Sequence, residues 1–368
     1  MTPTEPIFQS AIFSSPKVPF LELNREELTA MLQERGMPKF RAAQLRRWVF
    51  ARKTETLAPM TDIAKRDRAA LAELFSGGDE TQSLFTGRLV AKTGASDRTE
   101  KILIEWPDRH RVEAVLLRDD REHRTGCIST QVGCAMGCAF CASGLDGFAR
   151  NLTRGEILEQ MLRLNQLLPR DERLTHLVIM GTGEPTLNLG ALLPALAEAT
   201  ASDGLDIGNR KVTISTVGLP DGIDRLTAAR PPYKLAVSLH APDDETRNRI
   251  IPQNRHSGIT KILAAADRYF QAVGRRVTFE YILIAGVNDS AEQALQLARL
   301  LDHKTAIVNI IPYNPVTELS WQQPSRRAVE RFVAALEGAG IQVKVRFRKG
   351  DDIDAACGQL RRRESHEH

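Results

Sequence analysis

Apolar positions along the chain change period three times. After Asn24, Leu28, Met31 and Leu32 recur at helical spacing until Gly36, which predicts an N-capped helix with a glycine stop. PKFRAAQLRRWVF predicts a second helix and TDIAKRDRAALAELF a third, with Thr61 or Asp62 as its cap. These three make a small N-terminal helical domain over 21–80, behind a loose arm at 1–20. From Leu84 to Leu117 apolar and polar residues alternate, as in EKILIEW and RVEAVLL. That period of two predicts a linking antiparallel β segment over 81–120. Beyond it, short apolar strands (HLVIMG, RKVTISTVG, YKLAVSLHA, RVTFEYILIAG, AIVNIIPYNP, IQVKVRF) alternate with amphipathic helices. About six β-α units over 121–350 predict an α/β fold, a partial (β/α)6-type barrel with helices outside. In such barrels the chemistry sits at the C-terminal ends of the strands. Residues 351–368 remain as a short loop and a basic tail.

Composition narrows the class. Over 368 residues the net charge is +4, with 42% hydrophobic and 26% charged residues, ordinary for a globular chain. The N-terminus lacks a basic start followed by an apolar run, so no secretory signal is expected. The uncharged stretch 126–145 is too rich in Gly, Ser and Gln for a membrane span. A cytoplasmic protein without a membrane partner is expected. There thiols stay reduced, and clustered cysteines hold metal or do chemistry. Seven Lys or Arg and no acid fall between Arg35 and Lys53, interleaved with Phe40, Trp48 and Phe50. Basic residues gather again from Lys344 to Lys349 and at Arg361, Arg362 and Arg363. Such runs attract phosphate and stack on bases. Taken alone, the first run is read rather as a helix with a solvated basic face and a buried aromatic face.

The cysteines are the sharpest signal. Cys127, Cys134, Cys138 and Cys141 fall within CISTQVGCAMGCAFC, and Cys357 stands alone in GDDIDAACGQL. A structural zinc site wants four ligands, and Cys127 is available as a fourth. A bacterial ferredoxin cluster wants four cysteines with a proline after the last, which is missing here. The spacing C-x3-C-x2-C suits a loop giving three thiolates to one 4Fe–4S cube, whose fourth iron stays open. Beyond it, VIMGTGEP carries glycines for close backbone approach and Glu184 to accept from an ammonium group. Ser215, Ser238, His240 and Asn314 sit at successive predicted strand ends and read together as one lined pocket.

With the aromatic Phe140 before its last cysteine, the loop resembles the radical S-adenosylmethionine (SAM) signature. CISTQVGC, MGTGEP and GDDIDAACGQL, together with PKFRAAQLRRWVF, GFARNLTRGEI, KVTISTVG, LAVSLHAP and IPYNP, resemble the RlmN/Cfr family of radical SAM RNA methyltransferases over nearly the whole chain. The resemblance implies a radical SAM barrel with a 4Fe–4S cluster on Cys134, Cys138 and Cys141, one iron being open. It implies two SAM molecules per turnover, with a SAM pocket at Gly183, Glu184, Ser215, Ser238, Leu239, His240 and Asn314. Cys357 would become an S-methylcysteine intermediate, Cys127 would resolve the adduct through a transient disulfide with Cys357, and Glu113 falls on a position offered as proton acceptor. The implied reaction is methylation of C2 of an adenine in 23S rRNA, with the adenine beside the tRNA anticodon as a second substrate. An external electron donor and a thiol reductant are implied partners, and a monomer is expected. Thr182 departs from the methionine of the family's MGMGEP, and the tail after GDDIDAACGQL is short. Pro185 favours the C2 branch, because C8-methylating Cfr-type enzymes tend to carry alanine there. C8 methylation and a non-catalytic iron–sulfur or zinc protein that binds RNA are the competing expectations.

Overall fold

The computed structural model describes residues 18–302, 306–346, 350, 353, 355 and 358–360. Helix α1 (Arg25–Glu34) opens as its sequence predicts. The Asn24 side chain accepts from the Glu27 N–H at 2.8 Å, and the Glu27 carboxylate accepts from the Asn24 N–H at 2.8 Å. This closed capping box satisfies two otherwise orphaned donors. Helix α2 (Phe40–Arg46) runs on into a π-helical turn, Arg47–Ala51. Helix α3 spans Lys65–Phe75, starting after Ala64 rather than at Thr61 or Asp62. Asp62 is engaged elsewhere: it accepts from the Trp48 indole at 2.6 Å and pairs with Arg47.

Strands β1 (Arg88–Gly94), β2 (Glu100–Glu105) and β3 (Arg111–Arg118) form an antiparallel meander. It is continuous with the barrel, because β3 pairs antiparallel with β4 (Arg124–Cys127). A short ribbon of β5 (Gln131–Gly133) and β6 (Phe148–Asn151) then flanks the cysteine loop. The β/α alternation follows: α4 (Arg154–Gln166), β7 (His176–Ile179), α5 (Leu189–Thr200), β8 (Val212–Thr216), α6 (Pro220–Ala229) and β9 (Lys234–Ser238). Three helices come next, α7 (Asp244–Ile250), α8 (Asn254–Ser257) and α9 (Ile259–Val273). The chain closes with β10 (Val277–Leu283), α10 (Ala291–Leu300), β11 (Ala306–Pro312), α11 (Arg326–Gly338) and β12 (Val343–Val345). Strand order is β1-β2-β3-β4-β7-β8-β9-β10-β11-β12, parallel from β4 onward. Six β-α units and a last strand make the expected α/β partial barrel. No described helix is long and apolar enough to cross a membrane.

The core lies between strands and helices rather than inside the barrel. On β7 and β8 the residues facing the helices, Leu177, Ile179, Val212 and Ile214, are fully buried. The alternate, inward residues His176, Val178, Thr213 and Ser215 are only half-buried. A closed β/α barrel fills its interior with layers of branched side chains; this one is hollow. One apolar cluster runs from Phe20, Leu28 and Phe75 through Ile157 to Leu177 and Phe279. It joins the N-terminal helices to the barrel's outer layer. Arg46 reinforces that junction with Glu198 at 2.7 Å and Asp203 at 3.2 Å. The Lys53 ammonium donates to the carbonyls of Leu168, Pro169 and Glu172 at 2.6–3.0 Å.

Candidate active site

The cysteine loop leaves β5 through Gly133, at φ +73°. A Cβ there would lie 1.9 Å from the Gly147 carbonyl oxygen, so only glycine fits. The loop is tied on three sides. Cys134 N–H donates to Gly147 O at 2.9 Å, and Ala139 N–H donates to Ile250 O at 2.9 Å. The Trp321 indole donates to Ala139 O at 2.7 Å. On the third side the C-terminal segment takes part: Ala142 N–H donates to Gly358 O at 2.8 Å and Ser143 Oγ to Leu360 O at 2.7 Å.

Held this way, Cys134, Cys138 and Cys141 line one cavity of about 160 Å³. Gly183, Glu184, Ser215, Ser238 and His240, at the C-terminal ends of β7, β8 and β9, line the same cavity. Burial pushes the Cys134 thiol up to about 11. Burial also pushes Cys138 well above its ordinary range, Cys141 and Cys134 adding to the rise while Arg247 opposes it. Thiols so desolvated ionise when a metal takes the sulfur. Among the described residues no three His, Cys, Asp or Glu side chains converge on a single-ion site. A cube makes a different demand, since each thiolate ligates its own iron. Three soft donors from one loop lining one cavity fit such a cluster.

The opposite wall is built from backbone and buried polar groups. Gly183 has φ +107°, and a Cβ there would meet the Gln131 Cβ at 2.6 Å. Glu184 accepts from Thr186 N–H at 3.0 Å, Thr186 Oγ1 at 2.6 Å and Val217 N–H at 2.8 Å. Burial raises its pKa. The Thr216 side chain hydrogen-bonds the carboxylate as well, so protein donors engage all of its roughly four lone-pair sites. Thr182 is buried and acts through its backbone: its N–H donates to Ser129 Oγ, and its carbonyl accepts from Thr130 and Gln131. His240, at φ +59°, accepts from Ile282 N–H through Nδ1 at 3.0 Å. Burial and the Arg247 charge lower its pKa to about 3, so the ring is neutral and carries its proton on Nε2. Phe140 meets the His240 ring edge-on at 5.0 Å between centroids. The motif's aromatic residue thus packs the loop against the β9 strand end.

Other candidates stand elsewhere. Leu239 turns its side chain into the core and offers only backbone: its N–H donates to Glu280 O, and its carbonyl accepts from Arg247 Nε. Asn314 and Cys127 line an adjoining cavity of about 450 Å³. Cys127 ends β4 opposite Val178 and packs with Val115, Ile353, Ala355 and Leu360. Cys357 lies outside the described residues. Of its near neighbours, Ala355 lines the cavity of Cys127 and Gly358 lines that of the three cysteines. Glu113 is buried on β3 with Lys101 Nζ at 3.0 Å and lines neither cavity.

Two residues were not singled out from sequence. Arg247, fully buried, fans its guanidinium over Leu239 O, Asn254 Oδ1, Val217 O and Ser238 O at 2.5–3.0 Å. It locks the ends of β8 and β9 beside Cys138. In DETRNRI it looks like any helix-surface arginine. Glu280 lines the three-cysteine cavity, with Oε1 accepting from Asn309 at 3.0 Å and Oε2 unpartnered among the described residues. A charge inside the apolar run RVTFEYILIAG was its sequence signal.

Three thiols of one loop, facing a glycine-glutamate turn across the end of a partial β/α barrel, define a radical SAM domain. Residues 128–298 match the family model of the Radical SAM superfamily. Residues 18–76 match that of the ribosomal RNA large subunit methyltransferase N-terminal domain. The chain is 54% identical to the probable dual-specificity RNA methyltransferase RlmN of Rhodopirellula baltica, over 93% of this chain and 90% of that one. It is 43% identical to the same-named protein of Desulforamulus reducens, over 94% and 97%. The crystal structure of a radical SAM methyltransferase from Sphaerobacter thermophilus superposes with a TM-score of 0.87 at 40% identity, covering 93% of this chain and 98% of that one. The chain belongs to the RlmN family of radical SAM RNA methyltransferases. Membership implies a 4Fe–4S cluster and SAM, which the thiol loop and the pocket beside it fit.

Proposed function

We propose that the chain methylates C2 of an adenine in 23S rRNA and, as a second substrate, the adenine beside the tRNA anticodon. The dual-specificity names of its relatives support the pair of substrates. One observation carries the mechanism: Ala355 borders the cavity of Cys127, Gly358 borders that of the three cysteines, and Cys357 lies between them in sequence. When bound on Cys134, Cys138 and Cys141, the cluster with its open iron supplies the electron that splits SAM. Cys357 gives up its thiol proton to solvent and takes a methyl group from one SAM, which leaves as S-adenosylhomocysteine. Once the methyl on Cys357 has lost a hydrogen atom to the adenosyl radical that cleavage of a second SAM would supply, Cys357 is joined to the adenine carbon through the methylene. The adduct must then lose the C2 proton, for which Glu113 is the candidate acceptor, and one electron, which the cluster held by Cys134, Cys138 and Cys141 would take back. Cys127 then attacks the Cys357 sulfur, and the methylated base leaves as the disulfide forms. An external thiol reductant restores both cysteines, and an external donor provides the electron.

Pro185, which lines the pocket, supports the C2 branch. The test is anaerobic reconstitution with iron, sulfide, SAM, reductant and an rRNA fragment, then location of the methyl group by mass spectrometry. Methyl on C2 is expected. Methyl on C8 would select the other branch. No SAM consumption, with Cys357→Ala unchanged in function, would leave a non-catalytic RNA-binding protein.

A further inference from the structure

Among the described residues three carboxylates line the hollow interior of the barrel, Asp119, Glu184 and Glu280. Two of them are spent. Glu184 is filled by its four protein donors. Asp119 is engaged by His123 and by the Arg121 N–H. Glu280 differs. It is 4% exposed, and its Oε1 accepts from Asn309 Nδ2 at 3.0 Å. Its Oε2 is buried with no hydrogen-bond partner among the described residues. Strand pairing sets Glu280 on one rung with Ser238, Asn309 and Lys344.

Its place narrows the ligand. Glu280 borders the three-cysteine cavity and a third cavity of about 520 Å³. That third cavity shares Val178, Met180, Thr213, Lys234 and Arg346 with the cavity of Cys127. The carboxylate therefore stands where the cysteine-loop side and the Cys127 side of the interior meet. Burial raises its pKa, while the Arg346 charge and the Asn309 bond oppose the rise. An acceptor buried without a donor costs free energy, and a ligand N–H or O–H at Oε2 removes that cost.

The reaction brings such a donor. C2 of the adenine has to meet the carbon carried by Cys357, and Ala355 and Gly358 on either side of that residue border the Cys127 cavity and the three-cysteine cavity. On the base, C2 and the amino-bearing C6 flank N1, so the amine lies on the same edge as the reacting carbon. A base held with C2 at the junction of the cavities keeps its amine inside that junction. Adenine offers an N–H donor there, and guanine or hypoxanthine a carbonyl acceptor. A carboxylate oxygen binds the first and repels the second. Enzymes that extrude a base read it on this edge.

Resting on the RNA-methylation reading, we propose that Glu280 is the residue that selects adenine. Its Oε2 accepts from the N6 amine of the target base, and Asn309 aims the carboxylate by holding Oε1. A base with a carbonyl at C6 meets an acceptor with an acceptor and is rejected.

The test uses reconstituted holoenzyme with SAM and RNA hairpins that carry adenosine, purine riboside or inosine at the target position. Purine riboside keeps C2 and lacks the amine. Wild-type enzyme should bind the adenosine hairpin most tightly and methylate it roughly a hundredfold more efficiently than the purine hairpin, the worth of one hydrogen bond to a charged group. In Glu280→Gln, Asn309 Nδ2 claims the amide oxygen, which leaves the amide N–H groups facing the base. Efficiency on adenosine should then fall roughly a hundredfold, while efficiency on purine riboside and affinity for SAM stay at their wild-type values. Equal losses on both hairpins, or a weakened hold on SAM, would put the carboxylate on the SAM ribose hydroxyls and overturn the proposal. Wild-type enzyme that treats the adenosine and purine hairpins alike overturns it too, even if the variant does not fold. Failure of the underlying reading looks different: wild-type enzyme that prefers the adenosine hairpin in binding and transfers no methyl group.

Discussion

Ala142 donates its backbone N–H to the Gly358 carbonyl at 2.8 Å. One residue follows the last cysteine of the loop and the other follows Cys357, so this bond couples the proposed radical generator to the proposed methyl carrier. Ser143 adds a buried second tie through Oγ to Leu360 O at 2.7 Å. Losing such a bond costs about 1 kcal/mol. Ser143→Ala should therefore slow RNA methylation roughly five-fold while iron content stays at the wild-type level. Single-turnover rates and iron assays on the same preparation check this; a parallel fall in iron would show that the residue serves the cluster loop itself.

His240 predicts how stability depends on acid. Its folded pKa, about 3, lies below the ordinary histidine value, so the folded state binds fewer protons than the unfolded state between the two. Stability is then complete above the unfolded pKa and falls as pH drops toward 3. At pH 5 the loss relative to pH 7.5 is about 2 kcal/mol. His240→Asn should remove most of this slope. Asparagine tolerates the positive φ and can present Oδ1 to the Ile282 N–H in place of Nδ1. Denaturant titrations of both proteins at pH 7.5 and pH 5 measure the difference.

Arg247 acts through geometry more than through charge. Its four acceptors belong to three separate segments, and only a planar fork reaches them together. Arg247→Lys keeps the charge and loses the fork, at a cost of about 3 kcal/mol in hydrogen bonds from a charged group. The ends of β8 and β9 should loosen, with lower SAM affinity and faster amide exchange at Val217 and Leu239. Exchange at those two amides equal to wild type would show that lysine suffices.

The β/α alternation, the cysteine loop and the MGTGEP turn were legible because each is local in sequence. What was hidden depends on register and on the far end of the barrel. Lys101 holds Glu113 only because β2 and β3 pair with Leu103 opposite Glu113, which no single strand reveals. Asn314 joins Cys127 rather than the cysteines, because the strand ends face two cavities rather than one. The hollow interior had a signal that went unused. RKVTIST alternates polar and apolar residues, whereas a parallel strand covered on both faces reads as a continuous apolar run. Lys211, Thr213 and Ser215 were the lining of a channel, written in period two.

Cys127 offers the most direct view of the proposed chemistry. It is buried at the end of β4 against Ile353, Ala355 and Leu360, the segment that carries Cys357. Cys127→Ala changes little volume and leaves the three-cysteine pocket untouched. Methyl transfer to Cys357 and bond formation to the adenine should both proceed, but nothing then releases the base. A covalent protein–RNA species should accumulate to about one per active site, visible as a band on a denaturing gel that nuclease shortens. Free methylated RNA should fall by at least two orders of magnitude. Normal product release by the variant, with no adduct, would mean that another group resolves the intermediate and that Cys127 is a packing residue.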